Sequence, residues 1–168
     1  MHKWLNVPYD CGVAFTAHPG SHSAAFSARA PYLVFDATTR DEIDWNPEHS
    51  RRARGFPVYA AIRSLGRSGI VDLVERCCDH ALAFAEGLRT LGAEVLNDVE
   101  LNQVLFRFAS DEETDRVLQA VQASGEAWMG GTQWDGRRAI RISVSSWETD
   151  GADVARTLAA YATSLAAS

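Results

Sequence analysis

The 168-residue sequence contains a single lysine, Lys3, although 16 of its residues are lysine or arginine. A codon bias towards arginine is one explanation of this scarcity. The other is a chemical role, because only lysine has a primary amine that can lose its proton and attack a carbonyl. Lys3 is therefore a candidate functional residue, and the alternative is an ordinary exposed lysine near a chain end.

Other scarcities exclude whole classes of protein. Three cysteines, two of them adjacent, do not form a disulfide framework, and no Cys/His group has zinc spacing. We therefore expect a reducing, cytoplasmic setting and no metal site. No apolar run reaches the roughly 18 residues of a membrane-spanning helix, and no signal peptide is visible. The net charge of −6 argues against nucleic-acid and membrane-surface binding.

The composition is that of a globular protein, with 46% hydrophobic and 23% charged residues. Apolar runs predict strands over residues 11–16 and 32–35, and residues 38–50 predict a long polar loop. Pro57 and Gly66 bound a predicted helix, and Ser68 and Gly92 bound a longer one. The longer helix carries an apolar stripe at three- and four-residue steps, formed by Ile70, Leu73, Val74, Cys77, Ala81, Phe84, Leu88 and Leu91. Cys77 lies on this stripe, which favours packing over chemistry.

The last half of the sequence predicts a small β-β-α-β-β-α unit. Its strands are expected over residues 93–96, 103–108, 127–134 and 138–145, with Asp135-Gly136 as a hairpin turn. Ser110 and Glu113 predict a capping box for the first helix. The second helix is expected to begin near Thr149, with acidic residues in its first turn.

Four stretches then resemble one family. Residues 2–12 (HKWLNVPYDCG) resemble the pyridoxal-phosphate lysine motif of the group II amino-acid decarboxylases, which act on aromatic amino acids, glutamate or diaminobutyrate. Residues 50–59 resemble the arginine-rich start of the helix after the family's catalytic loop. Residues 102–108 and 141–147 resemble strands of its C-terminal domain.

The resemblance implies an α/β fold, the C-terminal part of a fold-type I pyridoxal-phosphate enzyme. Residues 1–90 would be the remainder of the large cofactor-binding domain, and residues 91–168 the small C-terminal domain with an antiparallel sheet. Family members are much longer, and the cofactor lysine lies well inside them. The chain is therefore expected to be a C-terminal portion, inactive by itself, of an enzyme that is a homodimer.

The resemblance also implies roles for three residues. Lys3 would hold pyridoxal phosphate through a Schiff base, and the amino-acid substrate would lose its carboxylate as CO2. His2 would lie near the cofactor phosphate; a packed histidine is the alternative. Arg141 would grip a substrate carboxylate, as its counterpart does in glutamate-decarboxylase relatives; an exposed strand arginine is the alternative.

One departure from the family pattern concerns the mobile loop. In well-studied decarboxylases this loop carries a tyrosine that protonates the product, whereas residues 38–49 (TTRDEIDWNPEH) contain Trp45 and no tyrosine. His49 or water could replace it. Decarboxylation with oxidative deamination, transamination, desulfuration and a non-catalytic remnant stay open as alternatives.

Overall fold

A four-stranded antiparallel sheet forms the centre of the fold. The computed structural model describes residues 1–34, 36 and 38–167. The strands are β1 (Glu94–Val95), β2 (Gln103–Arg107), β3 (Gly130–Trp134) and β4 (Arg137–Ser143), in the spatial order β1-β2-β4-β3. The helices are α1 (Pro19–Phe26), α2 (Gly55–Thr90), α3 (Asp111–Ser124) and α4 (Gly151–Ala166), with a 3-10 turn at Glu42–Asp44.

The core lies between one face of the sheet and the helices α2, α3 and α4. Alternate residues of β2 and β4 face this core, because successive side chains of a strand point to opposite faces. Val104, Phe106 and Ile140 are fully buried there, and Tyr161 of α4 packs edge-on against Phe106 at 5.6 Å. From α2, the predicted stripe supplies Leu73, Cys77, Ala81, Phe84 and Leu88 to the same core.

Cys77 has the packing role that the sequence predicts. Its side chain is buried in the core, and this burial raises the pKa of the thiol. The thiol is therefore held in its neutral form, which suits packing and disfavours nucleophilic chemistry.

Gly66 interrupts α2 where the sequence predicts a break. Its φ of 63° and ψ of −175° are non-helical, so the 36-residue span is two helical segments that meet at a kink. Glycine adopts this conformation readily because it has no Cβ. The predicted start at Ser68 is wrong, since the second segment continues from the kink.

The other predicted helix ends agree closely with the structure. Gly92 has a φ of 86° just beyond α2, and Ser110 accepts a hydrogen bond from the Glu113 N–H at the start of α3. The Glu113 carboxylate reaches the N–H of Ala109, one residue before the position that a capping box requires. Asp150 and Asp153 form a complete capping box at the start of α4.

The predicted hairpin turn is confirmed, whereas the predicted strand ends need correction. Asp135 and Gly136 both have positive φ, as the predicted two-residue turn requires. The strands around it are shorter than predicted, because β3 begins at Gly130 and β4 ends at Ser143. Beyond Ser143, the Val144 N–H still donates to the carbonyl oxygen of Asn102, next to β2, whereas the pairing with β3 ends at Arg141.

The two strands predicted in the first part of the chain are wrong for the described residues. Residues 11–16 and 32–34 are irregular, and Phe15 and Val34 are 95% and 92% exposed. Phe35, the last residue of the second predicted strand, lies outside the described residues. An isolated strand has no partner for its backbone hydrogen bonds. Among the described residues, the sheet of β1–β4 offers no strand beside these segments.

Gly87 is expected to be intolerant of a side chain. A Cβ at this position of α2 would lie 2.3 Å from Cδ1 of Leu158 in α4. We expect Gly87→Ala to lower the free energy of unfolding by about 1–3 kcal/mol, because overpacking forces the helices apart. Denaturant unfolding followed by circular dichroism measures this change.

Gly151→Ala is the matched control, because a Cβ in the first turn of α4 meets nothing within 4 Å. It should be neutral or stabilising by up to about 1 kcal/mol. Adding Leu158→Ala to Gly87→Ala should recover part of the loss. Strictly additive losses in the double variant would contradict the proposed contact.

Candidate functional site

Lys3 lies on a single tight turn at the start of the chain. The Leu5 N–H donates to the carbonyl oxygen of Met1 at 3.1 Å and closes this turn. Trp4 is half-buried against the core and Val7 is buried, whereas the Lys3 side chain is exposed. The backbone of the turn is thus held by the Met1–Leu5 hydrogen bond and by apolar packing directly after Lys3, while its amine stays accessible.

His2 belongs to the same turn and stacks on Tyr9. The two rings lie 4.1 Å apart at an interplanar angle of 17°. One ring of this stack therefore belongs to the residue directly before Lys3. This contact is compatible with both interpretations of His2, a group near a phosphate and a packed histidine, so its role stays a prediction.

Asn6 joins the lysine turn to a distant part of the chain. Its Nδ2 donates to the carbonyl oxygens of Lys3 and Ser145, each at 2.8 Å, and its Oδ1 accepts from the Trp147 N–H at 2.8 Å. Asn6 has a φ of 49°, a left-handed backbone that asparagine tolerates better than most residues. Sequence reasoning missed this residue, because its partners are 139 and 141 positions away.

Arg141 lies on the face of the sheet opposite the helices. In the register of the sheet it stands between Leu105 of β2 and Gly130 of β3, and its side chain is exposed. It borders two cavities, one of about 410 Å³ whose other walls carry amide, hydroxyl and aromatic groups, and one of about 340 Å³ whose walls include the Asp153 carboxylate. The other walls of the larger cavity are formed by Asn97, Gln103, Leu105, Thr132, Gln133 and Trp134. A guanidinium in such surroundings suits a carboxylate ligand.

The structure joins the predicted site residues only in part. His2 and Lys3 share one turn, and Asn6 ties this turn to the segment directly after β4. Arg141 belongs to β4, four residues before Ser145. Among the described residues, no hydrogen bond or ion pair links Lys3 to Arg141 directly. Lys3 and Arg141 are therefore not in direct contact. They are connected through Asn6 and the backbone of β4 with the segment that follows it.

The loop that lacks the family tyrosine is held against α1. Asp44 accepts hydrogen bonds from Arg29 at 2.7 Å and from the Ser27 hydroxyl at 2.6 Å, and these bonds lower the pKa of its carboxyl group. The Trp45 ring lies between the Arg40 guanidinium at 4.1 Å and the His22 ring at 5.6 Å. Trp45 thus has aromatic and cationic neighbours, and it brings no acidic proton.

No group of three or more metal-binding side chains occurs among the residues that the structure describes. In the same residues, no helix has the length and apolar character needed to cross a bilayer.

Comparison with known proteins gives one family match and several relatives. A family model described as "Pyridoxal-dependent decarboxylase conserved domain" matches residues 1–109. The 4-hydroxyphenylacetaldehyde synthase of Rhodiola rosea is 25% identical over 158 residues, which are 89% of this chain and 32% of that protein. A tyrosine decarboxylase of Oryza sativa subsp. japonica is 30% identical over 131 residues, 74% of this chain and 24% of that protein.

Among solved structures, Oryza sativa TDC with PLP and tryptamine superimposes with a TM-score of 0.77 at 18% identity. The superposition covers 86% of this chain and 33% of that one. The chain thus spans a quarter to a third of the length of each of these three proteins. At this identity the structural match speaks for the fold alone.

Proposed function

Because the chain belongs to the pyridoxal-dependent decarboxylase family, we propose that the protein containing it decarboxylates an amino acid and holds its cofactor on Lys3. The observation that carries this proposal is the exposed Lys3 amine on a turn whose backbone is fixed. It is also the only lysine of these 168 residues.

The fold class predicted from the sequence is confirmed. The helices and small antiparallel sheet match the C-terminal part of fold-type I pyridoxal-phosphate enzymes. The division into residues 1–90 of a large domain and 91–168 of a small domain remains our proposal. A homodimer and a cytoplasmic location are likewise expectations for the intact protein.

The cofactor of the family is pyridoxal phosphate, and the primary amine of Lys3 suits the aldehyde group of this cofactor. When bound, the cofactor supplies an aldehyde for a lysine amine and a ring that accepts the electrons left by the departing carboxylate. Lys3 would hold the cofactor through its Nζ, and the same atom would return a proton. His2, beside it in the turn, is proposed to lie near the phosphate.

Arg141 is proposed to bind a carboxylate of the substrate. Its exposed guanidinium can offer two parallel N–H groups, a geometry that matches a carboxylate. The amide groups of the larger adjoining cavity can accept or donate further hydrogen bonds. Arg141 thereby orients the substrate and does not take part in bond breaking.

A second candidate function has support from two observations. The described part of the loop at residues 38–49 contains Trp45 and no tyrosine, and a relative from Rhodiola rosea is named an aldehyde synthase. Decarboxylation with oxidative deamination would release CO2, ammonia and an aldehyde, with dioxygen reduced to hydrogen peroxide. Oxygen consumption by the holoenzyme, with aldehyde as the product, would favour this candidate; an amine without oxygen uptake favours simple decarboxylation.

Lys3 is expected to be the residue that borohydride links to pyridoxal phosphate. Incubation of the 168-residue chain with the cofactor, followed by reduction, should place one phosphopyridoxyl group on Lys3. Lys3→Arg is the matched control, because it keeps the positive charge and removes the nucleophilic amine. Peptide mapping by mass spectrometry locates the label, and the amino group of Met1 serves as an internal reference. Labelling of Met1 alone in the unaltered chain would overturn the role of Lys3.

Arg141→Met is expected to weaken substrate binding in the holoenzyme. Loss of a charge-assisted hydrogen bond costs about 1.5–3 kcal/mol, so KM should rise roughly 10- to 100-fold with a smaller change in kcat. Steady-state kinetics with a panel of aromatic and acidic amino acids measures this split.

Arg137→Met is the control on the same strand, because Arg137 pairs with Asp111 on the protein itself at 3.5 Å. Its KM should stay within a factor of about two, as for a surface substitution. Equal effects of the two substitutions would argue that Arg141 acts through the strand and not on the substrate.

A further inference from the structure

We propose that Asn6 is a positioning residue, which fixes the lysine turn to the segment after β4 and so holds Lys3 in register with the strand of Arg141. That this arrangement serves cofactor and substrate binding rests on the proposed function. The tie itself rests on three hydrogen bonds of one side chain.

Both amide hydrogens and the carbonyl oxygen of the Asn6 side chain take part in these hydrogen bonds. One Nδ2 hydrogen bond goes to Lys3, within the turn, and the other goes to Ser145, outside it. The oxygen accepts from the Trp147 N–H, and an asparagine amide has two donors and one carbonyl acceptor. The side chain therefore holds both ends of the junction at once, which a side chain with donors alone or acceptors alone could not do.

The segment that Asn6 grips is itself fixed on its other sides. Buried Asn102 binds both backbone groups of Val144, its side chain donating to the Val144 oxygen at 2.7 Å. Arg76 of α2 donates to the carbonyl oxygen of Trp147 at 3.2 Å. Residues 144–147 are thus a frame that joins β4, α2 and the lysine turn.

Apolar contacts alone would leave the direction of Lys3 undetermined. Trp4 packs against the core and Val7 is buried, but hydrophobic contact is non-directional. Hydrogen bonds fix an orientation because they weaken steeply away from linearity. Asn6 therefore supplies the orientation that apolar packing cannot.

The left-handed backbone of Asn6 makes a clean variant available. Asn6→Gly keeps that conformation accessible and removes all three hydrogen bonds. Asp135→Gly is the matched control, since Asp135 also has a φ of 49° but lies at the hairpin tip. Asn6→Asp is a third variant, which keeps the acceptor for the Trp147 N–H and loses both donors.

The first measurement is amide hydrogen exchange of Trp147 in the chain. We expect exchange to accelerate about tenfold in Asn6→Gly, and to stay unchanged in Asp135→Gly and Asn6→Asp. The second is the pH midpoint of cofactor absorbance, with kcat and KM, in the holoenzyme that contains this chain. Both Asn6 variants should shift that midpoint and lower kcat about tenfold or more, because the amine is misplaced.

Each outcome decides one point. Unaltered Trp147 exchange in Asn6→Gly would overturn the tie. Faster exchange with an unchanged pH midpoint and kcat would make Asn6 structural only and leave the role of Lys3 intact. A lower kcat and a shifted midpoint in Asn6→Gly, which introduces no charge, support positioning most directly, because the carboxylate of Asn6→Asp shifts the midpoint by its charge alone. If Lys3 of the unaltered protein takes no label with pyridoxal phosphate and borohydride, the proposed function fails and this proposal fails with it.

Discussion

The packing of helices on only one face of the sheet is the constraint on which the rest of the structure depends. The inward residues of β2 and β4 are buried by α2, α3 and α4, so the strand register cannot slip without exposing the whole core. The residues that alternate with the core-facing ones lie on the opposite face, where Arg141 and Ser143 are exposed. Arg141 is on that opposite face because Ile140 and Ile142 are in the core.

The same packing determines where the lysine turn can lie. Trp4 contacts the core, and the frame at residues 144–147 begins where β4 leaves the sheet. Directly beyond β4, both backbone groups of Val144 bind Asn102, the residue just before β2. The position of Lys3 is thus linked through two asparagines, Asn6 and Asn102, to a sheet that starts about a hundred residues later.

The features that could be predicted from the sequence are those with local causes. The stripe of α2, the kink at Gly66, the cap at Ser110 and the Asp135-Gly136 turn each depend on a few neighbouring residues, and the structure has them. Lys3 and Arg141 could be singled out because their chemistry or family pattern is visible in the chain. The 11–16 strand prediction failed because a strand needs a partner, and an apolar run does not reveal whether one exists.

Asn6 illustrates the opposite limit of such prediction. Nothing in the neighbouring residues marks it, since its importance comes from Ser145 and Trp147, to which only the folded chain brings it close. A chemically necessary group can therefore be recognised from sequence, because its reactivity belongs to the residue itself. The residue that orients such a group belongs to the fold, because orientation is a relation between distant segments. In this chain the candidate amine of Lys3 and the side chain proposed to orient it are only three positions apart. The first can be recognised from the sequence, whereas the second can be recognised only in the folded chain.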